Sequence, residues 1–200
     1  MRMGPEVDRA WVVDSIRSAL TASGLTQAEF ARGLGTSASR LSTYLSGHTD
    51  PSATFVARAI RIGQALGEAG SAGWMTPLST ADAVRSELVR GDQTWALKMT
   101  LQGRDDLRGM LARDLVCAAA WEARPGTTGS TVWDRILAAV TAHELTTAGY
   151  QAPAWTAGQP TSPEWMLRNP FLTEDRTRDQ TPSWLAESGL YISARDLTTV

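Results

Sequence analysis

The sequence predicts a mainly α-helical protein in two parts: four or five short helices over residues 1–70, then a helical domain over 71–200 that ends in an irregular Pro/Trp-rich C-terminal arm. Three observations predict it. Apolar residues recur every three or four positions through most of the chain, the period of a helix with one buried face. Glycine, proline and serine punctuate these runs at short intervals, as turns between helices require. From Tyr150 to Pro182 the period fails, because five prolines and two tryptophans interrupt it. So long an irregular stretch marks an arm that wraps or binds.

In chain order, Trp11, Ile16, Leu20 and Leu25 set the first helix before a turn at Ser23-Gly24. Phe30, Ala31 and Leu34 set the second, which stops at Gly35, and Leu41, Tyr44 and Leu45 the third, which stops at Gly47. The fourth starts after Pro51-Ser52, carries Phe55, Ala59, Ile62 and Leu66, and ends at Gly67. The small residues from Gly67 to Gly73 then make the best domain boundary. Beyond it, helical patterns cover Thr80–Arg90, Gln93–Leu101, and Asp105–Ala123 with Leu107, Leu111, Leu115 and Ala119 on one face. Val132, Ile136, Val140 and His143 mark a further helix over Thr131–Thr147. The chain closes on a helix start at Pro182-Ser183-Trp184, a stop at Gly189, and room for a short strand.

Composition is that of an ordinary soluble domain, 42% apolar and 20% charged in 200 residues. No apolar run approaches the roughly 20 residues that cross a bilayer. The amino terminus, Met1 to Trp11, carries both charge signs and no apolar core, so neither a membrane partner nor a secretory signal is expected and the cytoplasm is. The lone Cys117 allows no internal disulfide and reads as a small buried hydrophobe. The net charge of −2 conceals an asymmetry: residues 1–67 hold seven arginines against five acids, whereas 68–200 hold twelve basic residues against sixteen acids. A mildly basic head on an acidic body suits a nucleic-acid partner better than the average suggests.

The segment Gly24–Gly47, GLTQAEFARGLGTSASRLSTYLSG, carries the function. Thr26 and Glu29 have the spacing of a capping box at a helix start. Ala31 precedes Gly35 by four residues, a tiny side chain where two helices cross and a residue tolerant of positive φ in the turn. Leu41, six residues on, is the apolar peg that docks the second helix, which Thr36 or Ser37 can cap. These residues, with TQAEFA and the SG-x-x-x-P turn, resemble the helix-turn-helix of the phage-repressor (Xre/Cro) family over about residues 12–66.

The resemblance implies a sequence-specific transcriptional repressor of its own operator, a double-stranded DNA partner, and a major groove read by helix 37–46. It places Ser37, Ala38, Ser39, Arg40 and Thr43 against base edges, with Arg40 as the guanine reader. Gln27, Thr26 and His48 become phosphate contacts, Gln27 also bracing the reading helix. Ser39, Ser42 and Thr43 stand where relatives carry longer polar side chains, so DNA shape and the two half-sites of a homodimer should supply part of the specificity. By analogy with helix-turn-helix antitoxins, the alternative is an antitoxin whose C-terminal domain binds and neutralises a cognate toxin. A sensor or dimerisation module that binds a small ligand is a further reading of that domain.

Catalysis has little to work with. His143-Glu144 opens like a zincin helix, but Thr147 stands where the second histidine belongs. One cysteine makes no zinc cluster, and neither a phosphate-binding glycine loop nor a dinucleotide fingerprint occurs. The acidic pairs Asp105-Asp106 and Glu174-Asp175 read as helix-start charges and a solvated turn. No enzymatic activity, catalytic residue, metal or cofactor is therefore expected. Eight tryptophans are many for this length. Trp121 and Trp133 read as core, whereas Trp155, Trp165 and Trp184, in or beside the arm, either staple it down or serve as partner-binding hot spots.

Overall fold

A computed structural model describes residues 5–113, 115–157 and 163–198. The chain is mainly helical, with ten α-helices and one pair of two-residue strands among the described residues. None of these helices is long and apolar enough to cross a membrane. Two compact units form. The first takes Met1–Ser79 and Gly109–Gly126, and the second takes Thr80–Arg108 and Thr127–Val200.

The first unit opens with α1 (Pro5–Ser23), α2 (Gln27–Gly33), α3 (Ala38–Leu45) and α4 (Ala53–Ser71). Ile16, Phe30, Ala31, Leu34, Leu41, Ala59 and Ile62 fill its core. Helix α4 runs past Gly67, where the sequence pattern places its end, through Gly70 to Ser71. The reason lies on α1. A Cβ at Gly63 would stand 2.5 Å from the Ala19 carbonyl oxygen, and one at Gly67 would overlap that of Ala22. These glycines therefore serve the close crossing of two helices rather than a stop.

The segment 109–126 completes this unit. Its helical turns, α7 (Leu115–Ala118) and the 3-10 turn Ala119–Glu122, pack on α4. Trp121 is fully buried. Arg61 of α4 forms a two-pronged ion pair with Glu122, and the Arg124 amide donates to the Gly33 carbonyl at the end of α2, at 2.9 Å.

The second unit is built from the rest of α5 (Pro77–Val89), most of α6 (Gln93–Arg113), α8 (Thr131–Thr147) and the C-terminal segment. Where the sequence pattern gives two helices, 93–101 and 105–123, the backbone makes one continuous α6 ending at Arg113. Thr80 packs against Gly103 where a side chain would otherwise sit, so that glycine is a contact within the helix and not a break. Of the expected 105–123 face, Leu107 is buried and Leu111 half-buried, while Asp114 and the Leu115 side chain lie outside the described residues. Helix α8 has the expected boundaries, and its Trp133, Ile136 and Val140 meet Val84, Leu97, Leu101, Leu185, Leu190 and Ile192 in one core.

The C-terminal arm is less irregular than expected. Thr173 caps a helix, α9 (Glu174–Gln180), whose first turn carries Glu174 and Asp175, where negative charge favours a helix start. Strand β1 (Trp165–Met166) pairs in parallel with β2 (Leu190–Tyr191), after the short α10 (Ser183–Ala186). The prolines prevented a helical period from showing, but the cap at Thr173 sufficed for two turns between them. Residues 158–162 of the arm lie outside the described residues.

Candidate nucleic-acid interface

The geometry of the interface begins with two capped helices and a left-handed glycine. In the capping box, the Thr26 side chain accepts from the Glu29 amide while the Thr26 amide donates to the Glu29 carboxylate at 2.9 Å. The Thr26 hydroxyl also donates to Glu29, at 2.6 Å. Both Thr26 donors expected to meet phosphate are thus engaged within the helix start. Gly35, at φ 69°, makes the turn. Ser37 caps α3 by accepting from the Arg40 amide at 3.1 Å.

These hydrogen bonds hold the Glu29 carboxyl below its ordinary value, the Thr26 hydroxyl contributing most and the Thr26 amide next. A depressed carboxyl contributes stability that is present above the ordinary Glu value of 4.5 and is lost as pH falls through the lower folded value. Thr26→Ala is therefore expected to cost about 1 kcal/mol near neutrality. Chemical denaturation should show the gap between parent and variant narrowing from about pH 7 to about pH 3. A gap independent of pH would mean that the Glu29 carboxylate contributes nothing to the box.

Behind α3, Leu41 is fully buried and Tyr44 nearly so, with the Tyr44 ring against Phe55 at 5.0 Å between centroids. In front, Ser37, Ala38, Ser39 and Arg40 are all exposed, and Thr43 is half-buried. One helix thus carries an anchored apolar face and a bare polar one, the arrangement needed to lay a helix in a groove. The Thr43 hydroxyl donates back to the Arg40 carbonyl at 2.8 Å, leaving its oxygen as an acceptor. Gln27, exposed at the start of α2, reaches the Ala38 carbonyl at a long 3.5 Å, so it touches the reading helix as expected. His48 lies exposed beyond α3, with Nδ1 2.7 Å from the Ser46 hydroxyl.

Sequence reasoning missed the role of Tyr44. Its hydroxyl accepts from Arg40 Nε at 2.7 Å, and the guanidinium lies over its ring at 5.8 Å. The signal was present in the four-residue spacing of Arg40 and Tyr44, which places both side chains on one helix face. Nε is thus engaged within α3 on a side chain that is itself exposed, which leaves the two terminal nitrogens as the prongs for the expected guanine contact. Tyr44→Phe keeps the ring and removes the anchor. We expect it to weaken specific DNA binding roughly fivefold, the value of about one hydrogen bond, while lowering the melting temperature by no more than about 4 °C. An unchanged affinity would show that Arg40 needs no such brace.

The three tryptophans proposed as hot spots are scattered over the second unit. Trp165, half-buried, meets Trp133 edge to face at 5.9 Å. Trp184 stacks on His143 at 4.2 Å, with planes 7° apart. Both pack against the core, so both staple the arm. Trp155 lies half-buried in the 3-10 turn Ala154–Thr156. Among the described residues no group of three or more His, Cys, Asp or Glu side chains could hold a metal ion.

Residues 16–62 match the family model described as helix-turn-helix. That stretch covers α2, the turn, α3 and the flanking parts of α1 and α4, so the segment expected from its motifs is a DNA-binding helix-turn-helix. Neither the curated proteins nor the solved structures contain a match to the chain.

Proposed function

We propose that the protein is a sequence-specific transcriptional repressor, acting in the cytoplasm as a homodimer on an operator at its own gene. The observation that carries this reading is the exposed row Ser37–Arg40 at the start of α3, backed by buried Leu41 and Tyr44, within a segment matched as helix-turn-helix. Dimerisation supports it on physical grounds. One helix with serines, a threonine and a single arginine facing the groove makes too few base contacts for operator affinity, and two half-sites about one helical turn apart double them. The proposed role is binding, with no catalytic step assigned to any residue.

An antitoxin is the second reading. Phe171, 88% exposed in the arm, and the exposed Trp95 favour a protein partner for the second unit, because aromatic side chains left in water are common interface anchors. A reporter driven by the gene's own upstream region tests the first reading. The repressor reading predicts that supplying the protein lowers reporter output and that the Arg40→Ala variant does not. Unaltered output with both proteins would overturn it. Rescue of cells from the product of an adjacent gene by the full-length protein would establish the antitoxin.

A further inference from the structure

The second unit contains a cleft of about 300 Å³ beside α8. Its lining includes Arg135, Ala138, Ala142 and His143 of α8, Trp184 of α10, and Ser188. The alanines give a shallow apolar floor, and the parallel stack of His143 and Trp184 gives a flat aromatic wall. Arg135 is the one permanently charged residue among the lining residues, and it is only 8% exposed. Its Nη2 donates to the Ser188 carbonyl, whereas Nη1 is buried without a hydrogen-bond partner among the described residues.

A buried guanidinium nitrogen with unused N–H groups is costly, and the acceptor that offsets it best is an anion. Arginine's fork favours a planar carboxylate in particular. An apolar floor and an aromatic wall select a flat hydrocarbon body, and one charged group fixes its orientation. We propose that this cleft binds a small carboxylate with a flat apolar body, its carboxylate directed to Arg135 and its ring to the Trp184 wall. Binding there is a property of the second unit alone, so it stands or falls independently of what the head recognises.

The test uses the full chain and benzoate as probe, with benzamide (same shape, no charge) and acetate (charge, no ring) beside it. Binding is followed by the indole N–H resonance of Trp184, identified by its loss in Trp184→Phe. Benzoate should shift that resonance saturably, and benzamide and acetate should bind at least tenfold more weakly. Ala142→Leu, which fills the cleft at a half-buried position, should abolish the shift while leaving the fold intact. Arg135→Gln should bring benzoate down to the affinity of benzamide. The proposal is overturned if benzoate leaves the Trp184 resonance in place, if Ala142→Leu retains the full shift, or if benzamide binds as tightly as benzoate.

Discussion

Replacing Arg40 with alanine is expected to cost about 1–3 kcal/mol of operator binding, a fall of roughly five- to 150-fold, with the loss concentrated at one base pair. Two features set the size of the effect. Arg40 is the sole long side chain in the exposed row Ser37–Arg40, so no neighbour can take over a bidentate contact. Its Nε is already satisfied by Tyr44, so little freedom is lost when the fork meets a base. Gln27→Ala should behave differently. Gln27 stands on α2 beside the first turn of α3, where it contacts backbone, and its loss should weaken all sequences by a similar factor. Competition binding against a panel of single-base operator variants distinguishes the two. A flat profile for Arg40→Ala would remove it as a base reader.

The largest effect on stability is expected at Gly67. Adding one methyl group there drives it into the Ala22 carbonyl, a backbone group that cannot swing away. Gly67→Ala should therefore destabilise the first unit by about 2–3 kcal/mol and lower its melting temperature by roughly 10 °C. Gly63→Ala, opposed by Ala19, should act alike. Gly70→Ala supplies the control. It lies in the same helix with nothing near its Cβ position, so alanine should be neutral or stabilise by up to about 1 kcal/mol through its better helix propensity. Equal melting temperatures for Gly67→Ala and Gly70→Ala would show that α1 and α4 do not cross as closely as described.

The DNA-reading half of the molecule was legible because local rules govern it. Ser37 and Ser46 flank α3, which fills the interval between them, and Thr26, Glu29, Ala31, Gly35 and Leu41 occupy the structural positions that their types demand. Helix α8 was equally plain from its apolar period. What failed did so where distant parts of the chain meet. The glycines of α4 looked like a linker because the partner that requires them, α1, lies more than forty residues earlier. Residues 109–126 looked like the end of a second-domain helix. Trp121, Glu122 and Arg124 instead join the unit of α2 and α4, through contacts that no local spacing announces. In the arm, Trp165 and Trp184 gave no periodic signal, because each docks on the core from a short irregular segment, beside Trp133 and His143 respectively.

Titration of the full-length protein against DNA from immediately upstream of its own gene, at two salt concentrations and beside a scrambled duplex, tests the central claim most directly. Base reading by α3 predicts preferential binding to the upstream DNA that persists at the higher salt, since base contacts release no counterions. Equal affinity for both duplexes, collapsing together as salt rises, would reduce the interaction to phosphate attraction and contradict the claim that this helix reads sequence.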